Sequence, residues 1–286
     1  MIIIKLQGGL GNQMFQYAIG RSLAVKHAVP LYLDHSFLER NPSNHGCFTT
    51  RKFELGVFNI KANKLSTSSI DDIYDANPDI TFKVYNEKPV PYDPSLKKIK
   101  PNLYMIGYWQ SHLYFDNISA ILREDFRFKE SDIFQRNQQI VDLLVNSNSV
   151  AIHIRRGDYL GNPFLCLCTM NYYRRAIDRL LASQPDAAFF VFCEDIAWAK
   201  ENLKYRNILF TLVSTPDNPG WFDMYLMSIC SHIIIANSTF SWWAAWLNNK
   251  PGHNVIAPSK WFYQKGEDRS LNHLYLPTWD IIQSDV

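Results

Sequence analysis

Apolar residues in this chain fall into short β-branched runs separated by longer stretches with helical spacing. Ile2 to Leu6 reads as a strand, Gln7-Gly8-Gly9-Leu10-Gly11-Asn12-Gln13 as a glycine-rich turn and Met14 to Lys26 as a helix. Leu31 to Leu33 follows as a second strand and completes a β-α-β unit. From about 59 to 100 the texture turns to Ser, Asp, Asn, Pro and Lys with little periodicity, which predicts connecting and surface structure. After Asn146 the alternation is regular. Strands are expected at Val150–Ile154, Ala188–Cys193, Ile208–Leu212, Ile233–Ala236 and Asn254–Ala257. Helices are expected between them at Asn171–Ala182, Ile196–Leu203, Phe222–Cys230 and Ser241–Asn248. Strands that alternate with ten-residue helices predict an α/β fold of parallel, doubly wound sheets. The break in texture predicts two such domains, 1–145 and 146–286, facing a cleft.

Composition narrows the class. The 286 residues are 47% hydrophobic and 14% aromatic, as in a well-packed globule, and are ample for two cores. With 29 basic and 27 acidic residues and no basic runs, nucleic acid is not expected as a partner. The opening Met1-Ile2-Ile3-Ile4-Lys5 is too short for a signal peptide. Met224 to Asn249 lacks Asp, Glu, Lys and Arg and is long enough to span a bilayer. It also holds His232, Asn237, Asn248 and a turn-like Asn-Ser-Thr, so it reads as a buried helix–strand–loop–helix. Five cysteines without framework spacing (Cys47, Cys166, Cys168, Cys193 and Cys230) predict reduced thiols in a cytoplasmic protein. Asp71, Asp72, Asp75 and Asp79 lack EF-hand spacing and read as a solvated loop.

Three segments could carry chemistry. In the first, glycines after a strand let backbone approach a ligand, and Asn12 can donate and accept hydrogen bonds. Gly9-x-Gly11 begins a dinucleotide fingerprint, but Met14 stands where the third glycine belongs; Asp34 mimics the ribose-binding acid. That partial match makes a nicotinamide oxidoreductase the weaker alternative. The second segment is His153-Ile154-Arg155-Arg156-Gly157-Asp158-Tyr159, at the exit of a buried strand. Guanidinium cannot lose its proton there and needs an anion, so a phosphate or diphosphate is expected. Asp158 either acts on substrate or orients Arg155 and Arg156. The third is Ala236-Asn237-Ser238-Thr239-Phe240-Ser241-Trp242-Trp243, where hydroxyls and a helix N-terminus offer another anion site. An ordinary N-cap at Ser241, with Trp242, Trp243 and Trp246 in the core, is the plain alternative. No Asp-x-Asp pair, GxxxxGK[ST] loop or GxSxG elbow occurs, so no metal site is expected.

Gly8-Gly9-Leu10-Gly11-Asn12-Gln13-Met14-Phe15-Gln16-Tyr17-Ala18, His153 to Tyr159 and Ser238-Thr239-Phe240-Ser241-Trp242-Trp243 together resemble the α1,2-fucosyltransferases. Gly107-Tyr108-Trp109-Gln110-Ser111, Tyr114-Phe115 and Tyr172-Tyr173 are similar as well, with Trp109 where Phe is commoner. The resemblance implies a GT-B fold and inverting, metal-independent transfer of L-fucose from GDP-β-L-fucose to O2 of a terminal β-galactoside. It implies no cofactor beyond that donor, an acceptor-side N-terminal domain and a GDP-fucose-binding C-terminal domain. Arg155 would stabilise the β-phosphate and Asn12 would lie near the reacting carbon. His153, Asp223, Ser238, Thr239 and Ser241, with Arg156, Gly9 and Gly11, would hold the nucleotide. Asp158, Asp34 and Glu194 are the carboxylates near expected loop mouths, and the residues do not choose a general base among them. A non-catalytic module binding a nucleotide sugar or glycan would carry the same loops. Work on lipid-linked glycans at the inner face of the cell membrane, for a surface polysaccharide, fits this reading, though no basic amphipathic helix marks it.

Overall fold

The computed structural model describes residues 1–40, 51–65, 75, 78–160, 168–261 and 271–285; Cys47, Asp71, Asp72 and Cys166 lie outside them. The chain divides into two compact units, Met1–Lys129 with Asn272–Tyr275, and Glu130–Leu271 with Leu276–Val286.

The first unit is built on β1 (Ile2–Lys5), β2 (Leu31–Asp34), β3 (Asn63–Lys64), β4 (Lys83–Asn86) and β5 (Leu103–Ile106). All pair in parallel, in the order β3-β2-β1-β5-β4. Strands β3 and β4 fall in the stretch whose pattern predicted only connections. Both lie at sheet edges with mostly exposed residues, so they carry no apolar run to reveal them. The helix after β1 spans Leu10–His27 and starts four residues before the predicted Met14. Gly9 takes the N-cap position, so Gly11, Asn12 and Gln13 belong to the first helical turn. Gly20 lets this helix sit close to the sheet: a Cβ there would stand 2.5 Å from Ile4 Cγ1 and 2.8 Å from Leu31 Cδ1.

The second unit is built on β6 (Ser149–Ile154), β7 (Ala188–Cys193), β8 (Phe210–Leu212), β9 (His232–Ile234), β10 (Val255–Pro258) and β11 (Asp280–Ile282). Its parallel order is β11-β10-β9-β6-β7-β8. Counted within the unit this is 3-2-1-4-5-6, the nucleotide-binding Rossmann order, whose topological switch point lies between β6 and β9. Every residue of β6 is buried. Val150, Ile152 and Ile154 pack in one core with Tyr172, Tyr173 and Ile177 of the helix Met170–Leu181. The Tyr172 hydroxyl donates to Ile235 O (2.7 Å), across the switch point.

The division falls at Lys129 and Glu130, upstream of the predicted boundary at 145. The aromatic ring of Phe134, on the short helix Asp132–Arg136, decides it: it packs on Trp221, Phe222 and Tyr225, with centroids 5.9, 5.8 and 4.7 Å away. The stretch 224–249 is the helix Gly220–Ser228, β9 and the helix Thr239–Leu247 in succession, and Trp242, Trp243 and Trp246 are core. Among the described residues no helix is long and apolar enough to cross a membrane.

Alanine at position 20 would gain about 1 kcal/mol of helix propensity. Overpacking against Ile4 and Leu31 costs about 1–3 kcal/mol and outweighs that gain. Gly20→Ala is therefore expected to lower the thermal midpoint by about 2–4 °C, measured by circular dichroism.

Candidate functional site

In the second unit, parallel pairing delivers the loops after β6, β7, β8 and β9 to one edge of the sheet. The β6 loop carries Arg155, whose Nη2 donates to Asp158 Oδ1 (2.5 Å) and whose Nη1 lies 3.5 Å from Glu194 Oε1. Burial opposes the Arg155 charge, but Glu194, Asp158 and Tyr159 outweigh it and raise its pKa further. Glu194 also accepts from Arg156 N (3.1 Å) and presses on the turn: a Cβ on Gly157 would stand 2.6 Å from Glu194 Oε1. A side chain at 157 would displace that carboxylate from its place beside Arg155.

The two adjacent arginines part company. Arg156 Nε donates to Asp195 Oδ2 (3.2 Å), and its guanidinium lies 4.0 Å from the Trp198 ring centroid. Asp195 also caps the helix Ile196–Asn202 by accepting from Trp198 N (3.0 Å). Arg156 is thus held from both sides by the protein itself, and Arg155 is the arginine beside the switch point.

The β9 loop comes to the β6 loop through Tyr159, whose hydroxyl donates to Asn237 O (2.9 Å) and also bonds the Ser238 side chain. Asn237 is buried, with Nδ2 donating to Trp261 O (2.9 Å). The N-cap of the following helix is Ser238, whose hydroxyl accepts from Phe240 N, and not Ser241. Ser241 is wholly buried and its hydroxyl turns inward, to Ala236 O and Ser238 O, so it is not presented to a ligand. Thr239 is half-exposed at the first helical position. His153, at the penultimate residue of β6, is buried with its ring centroid 5.7 Å from Phe240; its Nδ1 has no hydrogen-bond partner. Burial first, and then Arg155, lowers its pKa to about 3, so the imidazole is neutral. Asp223 reaches this edge from the helix Gly220–Ser228. It accepts from Ser214 Oγ (2.6 Å), which in turn accepts from Cys193 N (3.0 Å) at the end of β7. Burial, against the Ser214 hydrogen bond and with help from Glu194, pushes Asp223 up to about 6.

The first unit repeats the device at its own switch point, between β1 and β5. Asn12 Oδ1 accepts from Gln110 Nε2 (3.0 Å), and Gln16 Nε2 donates to Gly107 O (3.0 Å), so the glycine turn and the β5 loop are strapped together. Trp109, buried, has φ = +56°, a conformation rarely taken by a bulky residue. Glu87 braces it by accepting from Tyr108 N (2.7 Å) and Trp109 N (2.8 Å). Asp34 does not stand open at the loop mouth. It is buried, bonded to Ser36 N (2.9 Å) and to the Tyr104 hydroxyl. Gln13 draws in a segment that no motif marked, Lys52 to Glu54. Among the described residues no group of three or more His, Cys, Asp or Glu side chains is placed to hold a metal ion.

Comparison with known proteins agrees with this architecture. The chain is 34% identical over 274 residues to an alpha-1,2-colitosyltransferase of Escherichia coli, covering 92% of each. It is 33% identical to the O-antigen biosynthesis glycosyltransferase WbnK of Escherichia coli, over 90% of this chain and 93% of that protein. It is 27% identical to galactoside alpha-(1,2)-fucosyltransferase 2 of Oryctolagus cuniculus, over 98% and 76%. Among solved structures, Arabidopsis thaliana FUT1 in complex with GDP superposes with a TM-score of 0.50 at 12% identity, over 90% of this chain and 69% of that one. A family 9 glycosyl transferase from Veillonella parvula superposes with the same TM-score at 10% identity, over 99% and 86%. These likenesses are of fold, the GT-B type with two parallel-sheet units. The model of glycosyl transferase family 11 matches residues 1–283, and the chain belongs to that family.

Proposed function

We propose that this glycosyltransferase moves L-fucose from GDP-β-L-fucose to O2 of a terminal β-galactoside, with inversion and without a metal cofactor. The observation that carries the reading is the meeting of the Arg155 turn and the Asn237–Ser238 turn at the switch point of the second sheet. A nucleotide is expected at that place in a sheet of this order. The relatives' names support the rest: an alpha-1,2-colitosyltransferase and a galactoside alpha-(1,2)-fucosyltransferase are among them. WbnK points to a surface polysaccharide as the setting.

Cleaving the anomeric C–O bond leaves an oxocarbenium-like sugar and gathers negative charge on the β-phosphate. Arg155 supplies permanent positive charge where that charge grows, so its contribution increases toward the transition state. Asp158 and Glu194 hold the guanidinium in place before the diphosphate arrives. Ser238 and Thr239 flank the phosphates, with the neutral His153 beside the nucleoside. Asp223 in its ionised form accepts from the N1–H and amino group of guanine. The first unit, with Asn12 set by Gln110, takes the acceptor. A β-linked donor that yields an α-linked product requires attack from the face opposite GDP. A colitose donor, which lacks the 3-hydroxyl of fucose, is the second reading, favoured by the 34% identity to the colitosyltransferase.

The test incubates the purified chain with GDP-fucose or GDP-colitose and a panel of β-galactosides in EDTA, and measures GDP release and product linkage. Fucose on O2 of galactose is the expected result. Tight GDP binding with no turnover on either donor would replace the enzyme reading with a binding module. Arg155→Ala is expected to cut turnover by about 100-fold or more, as for loss of one preorganised charge donor. Arg155→Lys should not restore it, because the point charge of lysine lacks the bidentate fork. Since Asp223 titrates at about 6 and must be ionised to accept from guanine, GDP affinity should fall as pH drops through that value. Calorimetry of Asp223→Asn should show weaker GDP binding with that pH dependence removed.

A further inference from the structure

Positive charge gathers along one edge of the first sheet. Residues 83–100, which make β4 and its link to β5, hold five lysines against two acids, whereas the whole chain carries a net charge of only +2. Lys83, Lys88, Lys97, Lys98 and Lys100 are all exposed, while Asp93 is buried and Glu87 half-buried. Exposed Lys26, at the end of the helix Leu10–His27, adds one more charge, and exposed Asp79, upstream of β4, removes one.

Tyrosines tie these lysines into one surface. Lys83 and Lys88 place their Nζ atoms 6.0 and 5.8 Å from the Tyr85 ring centroid, and Lys97 lies 5.7 Å from that of Tyr92. The Tyr85 hydroxyl donates to Asp93 Oδ2, and the Tyr114 hydroxyl accepts from Asp93 N. The Tyr92 ring packs 4.9 Å from that of Tyr114, and Lys26 Nζ donates to Lys97 O. Asp93 also meets Lys88 (2.7 Å); among the described residues no acid pairs with Lys26, Lys83, Lys97, Lys98 or Lys100. Two residues after Lys88, Val90 is exposed between Pro89 and Pro91.

Two ordinary reasons for surface lysine do not account for the group. Charge on an edge strand blocks pairing with another sheet, but only Lys83 lies on β4. Single-stranded nucleic acid calls for bare aromatic faces on which bases stack, and here lysines cover the rings of Tyr85 and Tyr92. Lysines clustered beside tyrosine and an exposed apolar residue suit an anionic lipid surface, where each lysine is worth about fivefold in binding.

We propose that this edge of the first unit docks on a bilayer bearing anionic lipid headgroups. The lysines meet the headgroup phosphates, and Val90 enters the interface between them. The edge reaches Glu87, which braces the Tyr108–Trp109 turn, so docking brings that turn to the membrane surface. Docking of this kind needs neither the donor nor the acceptor proposed above.

The experiment measures co-sedimentation of the full chain with vesicles of phosphatidylglycerol and phosphatidylcholine, and with vesicles of phosphatidylcholine alone. Binding to the anionic vesicles only, weakening as salt is raised, is the expected result. K97E/K98E/K100E should lower that binding by about 100-fold or more, with melting temperature unchanged. K61E/K200E/K204E makes the same change of net charge at exposed lysines outside the edge, and should stay within about threefold of wild type. Equal binding to both vesicle types, or to neither, overturns the proposal. So does a loss in K61E/K200E/K204E as large as in the edge variant, since overall charge would then be the cause. A DNA duplex that binds this edge more tightly than the vesicles do assigns it to nucleic acid and overturns the lipid reading. If K97E/K98E/K100E melts early, the neutral K97Q/K98Q/K100Q decides: a loss of about tenfold or more supports the proposal, and unchanged binding overturns it.

Discussion

A guanidinium cannot shed its proton, and much of the second unit's architecture answers to that fact at Arg155. The residue follows a wholly buried strand, in a turn where only about a fifth of its side chain meets solvent (21%). Two carboxylates from different loops share the charge, Asp158 within the turn and Glu194 from the next strand. At Gly157 a Cβ would stand 2.6 Å from Glu194 Oε1, so a side chain there would push that carboxylate aside. Tyr159, two residues on, ties the turn to the neighbouring loop. A charge held this way is preorganised, so it need not be gathered from solvent when an anion forms beside it.

Both units apply one solution to a common geometric problem. Parallel strands send all their exits to one edge, and at the switch point two exits diverge on either side of the first strand. Neutral hydrogen bonds close the gap: Tyr159 to Asn237 in the second unit, Gln110 to Asn12 and Gln16 to Gly107 in the first. Each is worth only about 1 kcal/mol net, but leaving such a buried group unpaired costs more, so the pairs specify loop geometry more than they add stability. The positive φ of Trp109 is a conformational cost at this site, and the two backbone bonds to Glu87 offset it.

Neighbouring residues of one type turned out to have unlike duties. Arg155 and Arg156 are adjacent, yet the second lies on Trp198 and Asp195, which follow β7. Ser238 and Ser241 are three apart, and one helical turn buries the later hydroxyl among backbone carbonyls. Asp34 and Glu54 likewise differ in what holds them. The first is consumed by Tyr104 and Ser36, while the second is delivered to the glycine turn by an amide 41 residues earlier in the chain.

The sequence by itself determined the α/β class, the strands β1, β2 and β6 to β10 and the three loops at the strand ends, while the short buried strand β5 went unread. Buried parallel strands write themselves as apolar runs, and their turns as glycine and polar residues. It also determined that an unneutralisable charge stands at a strand exit. Edge strands β3 and β4 were illegible because short, mostly exposed strands carry no periodic signal. The domain boundary, the division of labour between the two arginines, the inward turn of Ser241 and the arrival of Lys52 to Glu54 at the glycine turn were decided only in three dimensions. All but the turn of Ser241 depend on a partner far away in sequence, such as Trp221 for Phe134, Trp198 for Arg156 or Gln13 for Glu54. No local pattern encodes such a pairing, since the physical term that selects it exists only once the chain has folded.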